Sequence, residues 1–221
     1  MLLEALRQQV VDTGMEALAR GIVHGTAGNF SIRDDETGLI AISPSGMLYP
    51  TITPADVVIV NADATVHDGS RAPSSETPMH TMILRERPDV RAIVHTHSHY
   101  ATVVSTFKPC LPPVLTETVL VVGARIPVTR YGLTGTADLG ASVVEVMDAS
   151  TRAVIIKNHG LICFGASFAD ALLYAMIVEE AAHVYIDALA ANGGREPDLV
   201  PDEQIPGMLA HFRATYGQQA G

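Results

Sequence analysis

The chain reads as an α/β protein with three α/β/α layers around a largely antiparallel central sheet, and three observations predict that class. Short strand-like runs near the N-terminus are divided by Gly, Pro and Asp-rich breaks, the punctuation of antiparallel pairing. Later strands are mixed with helices, without the regular alternation of a doubly wound parallel sheet. Hydrophobic residues make up 48% and charged residues 17% of 221, enough to fill a core and far from disordered compositions. With no repeats, low-complexity tracts or linkers, a single domain over 1–221 is expected.

The elements follow in order. Leu2, Leu3, Leu6, Val10, Val11 and Met15 recur near helical spacing up to Gly21, so a helix opens the chain. Four short strands come next, "AGNFSIRD", "GLIAIS", "DVVIVN" and "ATVH". "PSSETPMHTMILRERPD" is a helix with serines at its start, Pro78 where a proline costs little, and Pro88 at its end. "AIVHTH" is a strand and "SHYATVVSTF" a helix; "TVLVVG" fits either state, "RIPVTRY" is strand-like and "TADLGASVVEVMDA" is helical. "AVIIKNHG" reads as a buried strand, with "LICFG" its hairpin partner or continuation. Ser167 and Asp170 make a capping-box-like start for a long helix that Gly193 and Gly194 end. A last helix spans roughly "PDEQIPGMLAHFRATYG".

Charge and cysteine usage narrow the function. A net charge of -10 argues against nucleic acid, because phosphate backbones reward clustered Lys and Arg. An anionic ligand would have to be held locally, by backbone N–H groups, hydroxyls or a metal. Cys110 and Cys163 form no CxxC pair, which fits a reducing cytoplasm. The N-terminal segment carries Glu4, Arg7, Asp12 and Glu16, so it has no signal-peptide core, and no apolar run is long enough for a membrane span. A soluble cytoplasmic protein is expected.

The chemistry-bearing residues cluster in five motifs. Side chains alternate along a strand, so His95 and His97 project to one side. They are either two grips on a divalent ion such as zinc or a pair of ordinary satisfied histidines. His159, ahead of a glycine at the end of another strand, is the candidate third ligand, whereas the following helix turns His99 away. Ser74, Ser75 and Glu76 precede a helix, where hydroxyls and free N–H groups favour an anion or simply cap the helix. Glu76 could be a base or a ligand. Gly25, Gly28, Asn29, Ser45 and Gly46 stand in two loops whose backbone could approach a phosphate closely, or that could be plain tight turns.

The order G-T-A-G-N-x-S, S-P-S-G, P-S-S-E, V-H-T-H and N-H-G resembles the class II aldolase/adducin family from the first helix to the final "TYGQ". The resemblance implies zinc, or another divalent ion such as Mn2+ or Co2+, held by His95, His97 and His159, with Glu76 beside it as the acid/base. It implies that Gly28, Asn29, Ser45, Gly46, Ser74 and Ser75 grip a substrate phosphate, and that Tyr216 is offered to the site of a neighbouring subunit. It further implies a homotetramer with sites at subunit interfaces and a phosphorylated sugar as substrate. The implied reaction cleaves a ketose 1-phosphate to dihydroxyacetone phosphate and an aldehyde through a metal-stabilised enediolate. A 4-epimerase or decarboxylase on the same scaffold, and an adducin-head-like interaction module without catalysis, are the alternatives. Glu76 follows the aldolases of the family, while Thr77, Pro78 and His80 follow its epimerase; His80 itself reads as a helix-face residue. The mid-chain tyrosine of the fuculose-type aldolases is absent, and Thr116 or Glu117 stands near its place.

Overall fold

The computed structural model describes residues 1–215. A helix α1 (Glu4–Ala19) leads into four strands, β1 (Asn29–Arg33), β2 (Ile40–Ile42), β3 (Val58–Val60) and β4 (Val66–Asp68). Then come α2 (Thr77–Glu86), β5 (Ala92–Thr96) and α3 (His99–Phe107). A short pair, β6 (Cys110–Leu111) and β7 (Ile126–Pro127), flanks α4 (Thr116–Val121), and α5 (Ala137–Val144) follows. The hairpin β8 (Ala153–Ile156) and β9 (Gly160–Gly165) precedes the long α6 (Phe168–Ala191) and α7 (Ile205–Thr215). Seven strands form one sheet in the order β4-β3-β2-β1-β5-β9-β8, and every named ladder in it is antiparallel.

The sheet is buried on both faces, because strand alternation sends apolar residues each way. Phe30, Ile32, Val94, Leu161 and Cys163 pack with Val10 of α1, Val104 of α3 and Val178 of α6. On the opposite face Ile40, Ile42, Ile93, Val154, Ile162 and Phe164 pack with Met79 and Ile83 of α2 and Leu139 and Val143 of α5. This is the three-layer α/β/α arrangement that the sequence predicts. The Ser167 side chain caps α6 as expected, accepting from Asp170 N–H at 3.2 Å. Arg7, almost wholly buried, ties α1 to the far edge of the sheet through the Val57 carbonyl and the Asp68 carboxylate.

Two stretches differ from the sequence expectation. "TVLVVG" resolves to helix, since most of it lies in α4. "RIPVTRY" yields only two strand residues; Val128 makes an isolated parallel bridge to Ile155, and the chain then leaves the sheet as a loop. That loop runs toward Glu76 and proves to matter.

Candidate metal centre and active site

The register of the sheet builds the first part of the site. Asn29, His95 and Ile162 lie opposite one another on three adjacent strands, so they share the α2 face. His97 follows the end of β5, and His159 sits in the turn joining β8 to β9. That turn is tight: Asn158 takes φ 56° and His159 N–H donates to the Ile156 carbonyl at 3.1 Å. Gly160 follows, and a Cβ there would stand 2.3 Å from the Thr96 carbonyl oxygen and 3.3 Å from His95 Cε1. Only a glycine lets the turn close onto the end of β5.

The three imidazoles form a nearly equilateral triangle, with ring centroids 5.2, 4.9 and 4.9 Å apart. One nitrogen from each lies within 4.8 Å of the others. His95 is fully buried, and its Nδ1 faces the Leu161 carbonyl at 3.0 Å, which leaves Nε2 for another partner. Among the described residues Nε2 has no hydrogen bond, although it stands 3.1 Å from Glu76 Oε2. His97 and His159 bring their Nε2 atoms to 3.2 Å, close to the roughly 3.3 Å between two nitrogens held at ~2.0–2.1 Å by one tetrahedral ion. A backbone carbonyl orienting one ring nitrogen while the other is orphaned is the usual setting of a metal-bound histidine. The donor set therefore fits a divalent cation, and His99 lies outside it at the exposed start of α3.

Glu76 sits beside the triangle as the residue just before α2, and it is 4% exposed. Asn29 Nδ2 donates to its Oε2 at 2.8 Å, and Thr134 Oγ1 donates to its Oε1 at 2.9 Å. Burial pushes its pKa up, but the neighbouring His95, with help from Asn29 and His159, more than reverses this and holds the carboxyl well below the ordinary range. His97 is pushed down to about 4 by burial and then by His95 and His159; His159 moves the same way, from burial and His95. Near neutral pH an ionised carboxylate thus stands beside the bare imidazoles of His97 and His159, protonation states that a cation requires.

The predicted anion loops converge on the same place. A cleft of about 150 Å³ is lined by Gly28, Asn29, Ser45, Gly46, Ser74, Ser75 and Glu76 together with His97, His159 and Thr134. Two of these loops are zipped together by Ser45 N–H to the Ala72 carbonyl and Ser74 N–H to the Ser43 carbonyl, each 3.0 Å. Gly28 carries φ 81°, and a Cβ there would press within 2.6 Å of the His95 carbonyl oxygen. The buried Tyr49 hydroxyl steadies that loop, donating toward the carbonyls of Ala27 and Gly28 at 2.9 and 3.0 Å. A larger cavity of about 460 Å³, bounded by residues such as Arg152, Tyr174 and Arg213, contains none of the histidine cluster. Chemistry, not volume, singles out the smaller cleft.

Three residues that contact the site were not assigned to it from the sequence. Thr134 belongs to no motif and reaches Glu76 only because the loop after β7 folds over it. Tyr49 lies in a short 3-10 turn, and its role is visible only from its contacts. His80, expected as a helix-face residue, is fully buried and bonds through both ring nitrogens, to Ser31 Oγ and Asn29 Oδ1, each at 2.6 Å. Its spacing four residues after Glu76 was the available signal, since i and i+4 share a helix face. Thr116 and Glu117 are exposed in the first turn of α4 and do not line the cleft. Tyr216 lies outside the described residues.

Comparison with known proteins points one way. The profile of the family described as "Class II Aldolase and Adducin N-terminal domain" matches residues 8–186. A 5-deoxy-D-ribulose 1-phosphate aldolase of Bacillus thuringiensis serovar kurstaki is 37% identical over 219 residues, 99% of this chain and 100% of that protein. An L-ribulose-5-phosphate 4-epimerase of Salmonella typhi is 31% identical over 228 residues, covering 99% of this chain and 98% of its own. The solved structure of an L-fuculose 1-phosphate aldolase superposes with a TM-score of 0.87 at 33% identity, covering 95% of this chain and 96% of that one.

Proposed function

The chain belongs to the class II aldolase and adducin N-terminal domain family, and from that premise we propose that it is a divalent-metal-dependent aldolase acting on a ketose 1-phosphate. The 5-deoxy-D-ribulose 1-phosphate and L-fuculose phosphate aldolases among its relatives are lyases, and it is a lyase of their kind. The observation that carries the reading is a cleft where His97 and His159, backed by the buried His95, meet an ionised glutamate and three hydroxyl- or glycine-bearing loops. The family resemblance supports zinc as the ion, with Mn2+ or Co2+ as substitutes.

His95, His97 and His159 would hold the ion. When bound, it would polarise the ketose carbonyl and stabilise the negative charge that develops as the C3–C4 bond breaks. Ser45, Gly46, Ser74, Ser75, Gly28 and Asn29 would orient the phosphate with neutral donors, which suits a chain of net charge -10. Glu76, fixed through both oxygens, would remove a proton from C3 of dihydroxyacetone phosphate in condensation and return it to that carbon in cleavage. Tyr216 of a neighbouring subunit would exchange a proton with the aldehyde oxygen, in a homotetramer whose sites lie at subunit interfaces. A single domain over 1–221 belongs to the same reading and is supported by two cores that share one sheet.

One observation favours a second reading. Thr77, Pro78 and His80 follow the epimerase pattern, and an epimerase is among the relatives. The test is a screen of 5-deoxyribulose 1-phosphate, fuculose 1-phosphate and ribulose 5-phosphate, with and without chelator, monitoring both released dihydroxyacetone phosphate and epimerised sugar. Chelator-sensitive release of triose phosphate is expected; epimerised product without triose phosphate would overturn the aldolase assignment.

A further inference from the structure

Glu76 and His80 stand one helical turn apart on α2, and Asn29 of β1 bridges them from the sheet. The bridge has only one consistent arrangement of protons. The Asn29 amide nitrogen stands 2.8 Å from Glu76 Oε2 and donates to that carboxylate oxygen. The amide oxygen therefore faces His80, whose Nε2 must carry the proton. His80 Nδ1 is then the acceptor, and Ser31 Oγ, 2.6 Å away and wholly buried, donates to it. The chain of donors runs from Ser31 to His80 to Asn29 to Glu76, with each polar atom in it satisfied. It closes on itself through the backbone of α2, where His80 N–H also donates to the Glu76 carbonyl at 3.2 Å.

We propose that His80 is a positioning residue, whose neutral Nε2–H locks the Asn29 carboxamide in the one orientation that donates to Glu76 and so aims the carboxylate into the cleft. Flipping the amide would set its oxygen against the Glu76 carboxylate and its N–H groups against the His80 N–H, two repulsive contacts in a buried site. Without His80 that second penalty disappears, so the Asn29 amide is less firmly held and the Oε2 side of Glu76 is less sharply aimed, while Thr134 still holds Oε1. Asn29 on this view acts mainly on the proton-transferring group, although it also lines the predicted phosphate cleft.

The inference rests on the aldolase reading for its kinetic arm only. In metal-loaded protein, His80→Phe should lower kcat by roughly 10–100-fold, with KM and metal content near wild type. His80→Gln keeps an N–H near the Nε2 position and should recover most of that loss. Combined with Asn29→Ala, His80→Phe should cost nothing further, because its effect passes through the amide. A loss confined to KM or metal content, an additive double variant, or an unchanged kcat in His80→Phe would overturn the proposal. Should His80→Phe fail to fold, His80→Gln and nitrogen NMR of the histidine-labelled wild type decide it. A protonated Nε2 and bare Nδ1 between pH 5 and 8, with the Nε2 resonance shifted by Asn29→Ala, is expected, and a protonated Nδ1 tautomer would sink it. If the wild type binds metal but cleaves no sugar phosphate, the aldolase reading fails while the NMR result still judges the relay.

Discussion

At the scale of single residues, the site sets buried polar groups, Asn29, Glu76, His80 and His95, behind the more exposed His97 and His159. At His80 burial, then the charge of His95, push the pKa down from 6.5 to about 3, against a smaller opposing pull from Glu76. The sign follows from proton uptake. Between pH 6.5 and 3 the unfolded chain binds a proton at this residue that the folded chain refuses, so stability falls as pH is lowered across that window. One such group contributes a slope of about 1.4 kcal/mol per pH unit. Urea melts of metal-free protein should therefore show a shallower acid-side slope for His80→Gln than for wild type; equal slopes would mean His80 titrates normally in the fold. Glu76 works in the opposite sense of charge, since its depressed pKa means that acid must discharge a carboxylate held by Asn29 and Thr134. The candidate metal ligands His95 and His97 and Glu76 were legible in the sequence through strand alternation and a helix start, and His159 as a histidine ahead of a glycine at a strand end. Thr134 and Tyr49 were not, because they act through loops whose path depends on distant packing.

At the scale of elements, the close approach of the β8–β9 turn to the end of β5 sets the ligand triangle. Gly160→Ala would force a methyl group against the Thr96 carbonyl, so the two strands must part where His95 and His159 converge. We expect a loss of about 1–3 kcal/mol in urea denaturation together with weakened metal affinity in a titration. A destabilised protein with unaltered metal affinity would show that this turn does not define the triangle. The elements themselves were legible wherever a long period or a cap marked them. Helix α6 has 24 residues and a serine cap, and both its start and its end were visible. The segment that became α4 has six residues, too short for a helical period to declare itself against a buried strand. "RIPVTRY" alternates like a strand, yet most of it serves as a connector toward Glu76; periodicity records which side chains are apolar, not which backbone finds a partner.

At the scale of the whole molecule, the charge of -10 means that a phosphorylated substrate approaches against a repulsive field. Screening should relieve this, so kcat/KM for a sugar phosphate should rise modestly between ~10 and ~150 mM salt, where the Debye length shrinks from about 30 to about 8 Å. A steep fall would reveal a basic funnel that the site as described does not contain. No helix among the described residues is long and apolar enough to cross a membrane. The place of β5 in the sheet has one more consequence. It is an interior strand, paired on both sides, and the donor atoms of His95 and His97 meet that of His159 only when the β5–β9 ladder is intact. An ion that needs all three has nothing comparable to hold in the unfolded chain, so mass action couples occupancy to melting. Free metal at a thousand times its dissociation constant should stabilise the fold by about 4.1 kcal/mol, and His159→Ala should abolish that response while remaining folded. Ranking divalent ions by the melting temperature they confer would then identify the best-fitting ion before any substrate is known, turning the fold itself into the assay.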